Sequence, residues 1–141
     1  MYDQLRPLGY PNTDCVIMLY SAVNYPSFSN LAEKWIPEIE RHLPRVPILL
    51  ACNQIDIRED PLTLDKLARL GQKPVSKREA DRFFASYCKQ KKSSFQQIVE
   101  SHEISALTGV GLRELFESAF FHAYQNKFNN KKKDRSGCSI L

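Results

Sequence analysis

At 141 residues the chain is long enough for one domain with a real core and short for a two-lobed enzyme. Its 43% hydrophobic and 26% charged content is that of an ordinary globular chain, and its net charge of +4 has a definite address. Residues 1–126 carry equal numbers of basic and acidic side chains, whereas residues 127–141 set Lys127, Lys131, Lys132, Lys133 and Arg135 against Asp134 alone, which argues against a nucleic-acid groove across the fold and for an electrostatic contact borne by the tail.

The elements follow in chain order. DCVIMLYSA (14–22) is a continuous apolar run without helical spacing and predicts a buried strand. Next, SFSNLAEKWIPEIERHL places Leu31, Trp35, Ile39 and Leu43 on one helical face, with Ser27 expected as N-cap and Pro37 expected to kink or loosen the helix. PILLAC (47–52) predicts a second buried strand, and strand–helix–strand with both strands apolar throughout signals a parallel sheet. Asp60-Pro61 reads as N-cap and first-turn proline of a helix to about Arg69, closed by Gly71. SKRE (76–79) is a capping box before a helix to about Tyr87, KQKKSS (89–94) is a solvated loop, and a third strand lies within 95–104. The last helix begins near Gly111 with Leu112, Leu115, Phe116, Ala119 and Ala123 on one side; from Asn126 on, the composition predicts a disordered basic tail.

Cys15, Cys52, Cys88 and Cys138 are scattered, with no CxxC pair, so free thiols in a reducing compartment are expected. The N-terminus is polar and lacks the apolar core of a signal peptide, and no apolar run approaches the roughly 20 residues of a membrane span. His42, His102 and His122 fall in different elements and give a metal site or a catalytic triad little support. No catalytic residue and no metal ligand is assigned.

In open α/β sheets ligands sit beyond the carboxyl ends of the strands. Asn53, Gln54 and Asp56 follow the second strand at that edge, and Ser105, Ala106 and Leu107 follow the third. A carboxylate at Asp56 could accept two hydrogen bonds from neighbouring N–H groups, a pair that guanine offers and adenine does not. Asn and Asp also simply turn a chain after a strand, and local sequence leaves both readings open.

YDQLRPLGYPNTD, the NQID after an apolar strand, REDPLTLDKL, SALTGVGL and the terminal CSIL follow one another as in the Rho family of small GTPases, and over nearly its whole length the chain resembles that family, with the Cdc-type and TC-type branch the most similar. The resemblance implies a Ras-like, P-loop NTPase-type α/β fold with a parallel sheet and flanking helices. It makes Asp56 the guanine-specificity carboxylate and puts Gln54 where most relatives have a lysine lying on the base. It likens Asn53 to the Asn of the NKxD pattern, and has the Ala106 N–H in the SAL loop (Ser105, Ala106, Leu107) meeting the guanine carbonyl. Residues 60–71 match the extra helix of Rho proteins, and Tyr2, Asp3, Leu5, Arg6, Pro7 and Leu8 match the later half of switch II, where regulators and effectors dock.

The departures are equally specific. The family's GxxxxGK[ST] loop holds phosphates and Mg²⁺, but this sequence has glycines only at 9, 71, 109, 111 and 137 and no Gly-Lys pair. The switch I threonine and the DxxG segment are likewise unmatched. The expectation is an incomplete chain: residues 1–126 as the C-terminal portion of a Rho-type GTPase domain, without the N-terminal strands and the phosphate loop, and 127–141 as its tail. GTP or GDP with Mg²⁺ is expected in the full-length form, in service of signal transduction to the actin cytoskeleton, with no nucleotide held tightly by this chain alone. A nucleotide-free, prenylated protein competing for Rho regulators or effectors is the alternative. Cys138-Ser139-Ile140-Leu141 fits a C-a-a-X box that favours geranylgeranyl. Lys131, Lys132, Lys133 and Arg135 supply the basic second signal for an anionic inner leaflet, so a lipid-anchored location on the cytoplasmic face of the plasma membrane or endomembranes, with a cytosolic pool, is expected. Without the strand that carries the phosphate loop, residues 14–22 should form an exposed, aggregation-prone sheet edge.

Overall fold

The structure is a computed structural model that describes residues 2–91 and 97–138. Three strands, β1 (Val16–Ser21), β2 (Ile48–Asn53) and β3 (Ile98–Glu103), form a parallel sheet in the order β1-β2-β3. Val16 pairs with Ile48 and runs in register to Ser21 opposite Asn53, while a bulge at Ile48/Leu49 shifts the β2–β3 register so that Leu49 faces Glu100. β2 is apolar on both faces because both are covered. Ile48, Leu50 and Cys52 face one core with Met18, Tyr20, Phe28, Leu31, Ile36 and Ile39, and Leu49 and Ala51 face a second core with Ile104, Leu115 and Ala119.

The helices divide accordingly. Short α1 (Tyr2–Leu5) runs into a 3₁₀ turn, Arg6–Gly9. α2 (Tyr25–Asn30), a π turn (Leu31–Trp35) and α3 (Ile36–His42) form one helical segment on the first face, joined there by α5 (Lys77–Gln90). α6 (Leu112–Cys138) covers the second. The π turn is the local answer to Pro37: proline has no N–H to give the preceding turn, and the wider turn lets Ile36 N–H reach the Leu31 carbonyl instead.

Capping corrects one expectation and agrees with two. The N-cap of α2 is Asn24, whose side chain accepts from Ser27 N–H; Ser27 is already inside the helix, where its hydroxyl donates to Asn24 O (2.6 Å) and accepts from Ser21 N–H (2.9 Å). Pro26, tolerated in the first turn, had made the next hydroxyl look like the start. Asp60 caps α4 (Pro61–Arg69), and Ser76 caps α5 through Glu79 N–H (3.1 Å). α5 extends past Tyr87 to Gln90, so the loop expected at 89–94 begins later, and residues 92–96 lie outside the described residues.

Chain past Asn126 was expected to be disordered, but α6 continues through it to Cys138. Lysine is a good helix former, and no proline or glycine interrupts before Gly137, so polarity alone did not end the helix. Just before β3 a buried amide uses both its hydrogens: Gln97 Nε2 donates to the carbonyls of Leu43 (2.6 Å) and Val46 (3.0 Å), sealing the loop before β2. β1 is the sheet edge, and Leu19 on it is more than half exposed.

Candidate functional site at the carboxyl edge of the sheet

β2 delivers Asn53 to the edge, and the chain turns at once. Gln54 takes the left-handed conformation (φ +64°), and a 3₁₀ turn (Ile55–Ile57) carries Asp56 outward. A non-glycine residue in that region carries a cost, offset here by side-chain bonds. Asn53 Oδ1 accepts the Gln54 N–H (2.8 Å) and, from across the site, the Ala106 N–H (3.0 Å). Gln54 Oε1 accepts from the Ser21 hydroxyl at the end of β1 (2.5 Å).

The second loop leaves β3 through Ile104, whose N–H bonds Cys52 O (2.8 Å) and whose carbonyl accepts from Ile55 N–H (3.4 Å). Ser105 is fully buried, and its hydroxyl donates to Asp56 Oδ1 (2.8 Å) while accepting from Thr108 N–H (3.1 Å). Its backbone closes the turn through Ser105 N–H to Val110 O (2.9 Å) and Gly109 N–H to Ser105 O (2.8 Å). Gly111 then passes so near β3 that a Cβ there would lie 2.4 Å from the Glu103 carbonyl oxygen. The two loops are thus fastened by two side-chain bridges, Asn53–Ala106 and Ser105–Asp56, that leave the Asp56 carboxylate, Ala106 and Leu107 exposed to solvent.

Chemically this is a rigid rim with a carboxylate acceptor held by a buried hydroxyl, a shape suited to the N–H edge of a flat heterocycle. The six residues expected at the site, Asn53, Gln54, Asp56, Ser105, Ala106 and Leu107, are all at this rim. Two details differ from the picture the resemblance implies: the Ala106 N–H is engaged by Asn53, and the Gln54 side chain reaches Ser21. Sequence reading missed Ser21, whose only signal was a hydroxyl at the carboxyl end of a strand. It also missed Arg58, which pairs with both oxygens of Glu103 and reaches Cys52 Sγ (3.5 Å), bracing the rim from below. Burial pushes the Cys52 thiol up, against the opposing pull of Arg58, and pushes Tyr20 beside it on β1 up as well. Among the described residues no group of three or more His, Cys, Asp or Glu could hold a metal ion.

A second cluster lies where α1 meets α3. Arg6 donates through Nε and Nη2 to both oxygens of Glu38 (2.9 and 2.6 Å), through Nη1 to Asp3 (2.8 Å), and stacks over Trp35 at 4.6 Å. Tyr10 Oη also donates to Glu38. Glu38 is buried, and the hydrogen bonds from Arg6 hold its carboxyl down at about 2. Arg6 is therefore an internal anchor, whereas Leu5 and Leu8 stand 57% and 76% exposed, available to a partner. The side chain of Tyr2 lies outside the described residues.

In the tail Lys131 is exposed, while the side chains of Lys132, Lys133, Arg135 and Cys138, and all of residues 139–141, lie outside the described residues. Among the described residues no helix is long and apolar enough to cross a membrane. The three-stranded parallel sheet flanked by helices, with its two-loop rim at the carboxyl edge, is Ras-like; a family model described as the Ras family matches residues 1–125, and the chain belongs to that family.

Proposed function

We propose that this chain is the base-reading and partner-docking part of a Rho-type small GTPase, with the rim of Asn53, Gln54, Asp56, Ser105, Ala106 and Leu107 selecting guanine. The observation that carries the proposal is the Ser105–Asp56 bond, which fixes one carboxylate oxygen and aims the group outward from a buried anchor. The match to the Ras family is consistent with guanine nucleotide and regulator binding in general, and the Rho assignment rests on helix α4 (Pro61–Arg69) and the run of motifs already described. GTP or GDP is the ligand class this reading implies, and Mg²⁺ would balance its phosphate charge. The residues on hand read the base, and hydrolysis is not assigned to any of them.

Leu5 and Leu8, presented by a segment that Arg6 pins to α3, support Rho regulators and effectors as partners of the α1–α3 surface. A lipid at Cys138 with the neighbouring basic residues places the chain at the cytoplasmic face of a membrane. A second reading, a nucleotide-free competitor for regulators, is favoured by the same anchored Arg6–Gly9 turn, since Arg6, Glu38 and Tyr10 hold that surface by protein groups alone.

Nucleosides test base reading without needing a phosphate grip. Guanosine titrated into the 141-residue chain is expected to shift the Ala106 and Leu107 amide resonances, with adenosine shifting them much less. Asp56→Asn should erase the preference, because an amide NH₂ set against the guanine N–H edge is a donor facing donors. Equal responses to the two nucleosides would refute the guanine reading and leave the competitor reading, which regulator binding by the same chain would then have to support.

A further inference from the structure

α6 has two faces of different character. Its inner face is fastened along much of its length: Leu112, Leu115 and Ala119 pack on the sheet, His122 Nε2 meets Glu100 Oε2 at 2.6 Å, and Asn126 Nδ2 donates to Asp14 O at 3.4 Å. The outer face begins with an exposed Arg113–Glu117 ion pair (3.0 Å), a neutral and ordinary solvent surface. One turn further the character changes. Phe120 is 72% exposed, Phe121 56%, Tyr124 72% and Phe128 49%. Phe121, Tyr124 and Phe128 fall at i, i+3 and i+7, which puts them on one stripe, and the last two rings stack in parallel 6.5 Å apart. Exposed Lys131 continues that stripe, and exposed Lys127 borders it beside Phe120.

Contiguous exposed aromatics mark a surface that something covers. Three observations choose among occupants. The stripe is interleaved with lysines and carries no acidic residue from Phe120 through Lys131, so a second copy would bring like charges together. The same helix carries most of the 127–141 segment that holds the chain's whole net charge of +4, Lys127 and Lys131 among it. Aromatic rings beside lysines on a helix whose other face is polar or occupied are the composition of a helix lying in the plane of an anionic lipid surface.

We propose that the outer face of α6 from Phe120 to Lys131 is an interfacial membrane-binding surface. It lays Phe120, Phe121, Tyr124 and Phe128 into the boundary between headgroups and acyl chains, with Lys127 and Lys131 on lipid phosphates. The proposal deepens the membrane placement made above without needing the lipid on Cys138, and it orients the domain, setting the outer side of α6 against the bilayer.

The test is co-sedimentation of the unlipidated 141-residue chain with phosphatidylcholine vesicles, with and without phosphatidylserine. The parent should partition onto phosphatidylserine vesicles and only weakly onto neutral ones. The triple variant Phe121→Gln, Tyr124→Gln, Phe128→Gln, all on the exposed face, should lose about tenfold in partitioning at unchanged helicity. Lys127→Glu with Lys131→Glu should remove the dependence on phosphatidylserine. A parent that stays in the supernatant, or a triple variant that partitions like the parent, overturns the proposal. So does a dimer in sedimentation that the triple variant abolishes while no vesicle binding occurs, which would assign the stripe to a second copy. The mass of the C-terminal peptide from a eukaryotic host reports the Cys138 lipid separately, so failure of the prenylation reading and failure of this one are distinguishable.

Discussion

Gly111→Ala should be one of the most damaging single-methyl additions to this protein, and the structure separates the two reasons. Gly111 has φ +75°, a region where an L side chain costs about 1–2 kcal/mol. Its added Cβ would also lie 2.4 Å from the Glu103 carbonyl oxygen and 3.1 Å from Ile104 Cγ2. The nearer atom is backbone in β3 and cannot rotate away, so the strand end or the start of α6 must move, and such overpacking costs about 1–3 kcal/mol. Together these give about 2–5 kcal/mol, a large share of the roughly 5–15 kcal/mol typical of a whole domain.

The same chain supplies controls. Gly109 (φ +87°) and Gly71 (φ +67°) share the left-handed backbone, but a Cβ at either meets nothing within 4 Å. Gly109→Ala and Gly71→Ala should therefore show the conformational cost alone, about 1–2 kcal/mol. Equilibrium urea unfolding followed by circular dichroism measures all three. With a slope of about 2 kcal/mol/M, an extra 2 kcal/mol lowers the midpoint by about 1 M. Because Glu103 and Ile104 lead directly into Ser105, Gly111→Ala should also shift the Ala106 amide resonance, whereas Gly71→Ala should leave it in place. A midpoint for Gly111→Ala no lower than that for Gly109→Ala would refute the close approach.

Three further outcomes follow from the hydrogen bonds. Glu38→Gln removes the charge that Arg6 grips and should cost about 1–3 kcal/mol near neutral pH, at the lower end because Arg6 is partly exposed. Glu38 has a folded pKa of about 2, below the ordinary value near 4.3, so its contribution is complete above about pH 5 and is lost as pH falls through 2. Unfolding curves for parent and variant should accordingly converge in acid, and a gap that stays constant from neutral pH to strong acid would contradict the pairing. Ser105→Ala strips Asp56 and Thr108 N–H of a buried partner and should cost about 1–3 kcal/mol while weakening any guanosine preference, read by urea unfolding and the nucleoside titration. Asp60→Ala should cost about 1 kcal/mol by urea unfolding and speed hydrogen exchange at the Thr63 amide, which Asp60 Oδ2 now accepts at 3.0 Å, whereas Asp60→Asn should recover most of both.

Sequence alone determined the two apolar strands, the caps of α4 and α5, the presence of a third strand and the two loops at the carboxyl edge, although only β2 is buried along its length and β1 is a half-exposed edge. Each depends on a local signal: an uninterrupted apolar run, an Asp-Pro or Ser-x-x-Glu pattern, or a polar break after a strand. The same local reading misplaced the cap of α2, because Asn24 and Ser27 are both good caps and only backbone geometry says which residue lies outside the helix. It ended α6 too early, because a run of lysines looks the same in a helix as in a solvated coil.

Only the tertiary structure decided what depends on groups distant in sequence. It brought Ser105 to Asp56 and Asn53 to Ala106, paired Arg6 with Glu38 and Arg58 with Glu103, and revealed the close passage of Gly111. It also showed that the aromatics of α6 all lie at the surface, Phe116 included, although its spacing had grouped it with Leu112 and Leu115, for a phenylalanine at helical spacing has the same identity on either face. The physical reason is common to all of these: propensity and periodicity are properties of a few neighbouring residues, whereas a hydrogen-bond partner, a steric limit or a solvent-facing ring exists only once the sheet has set two segments side by side.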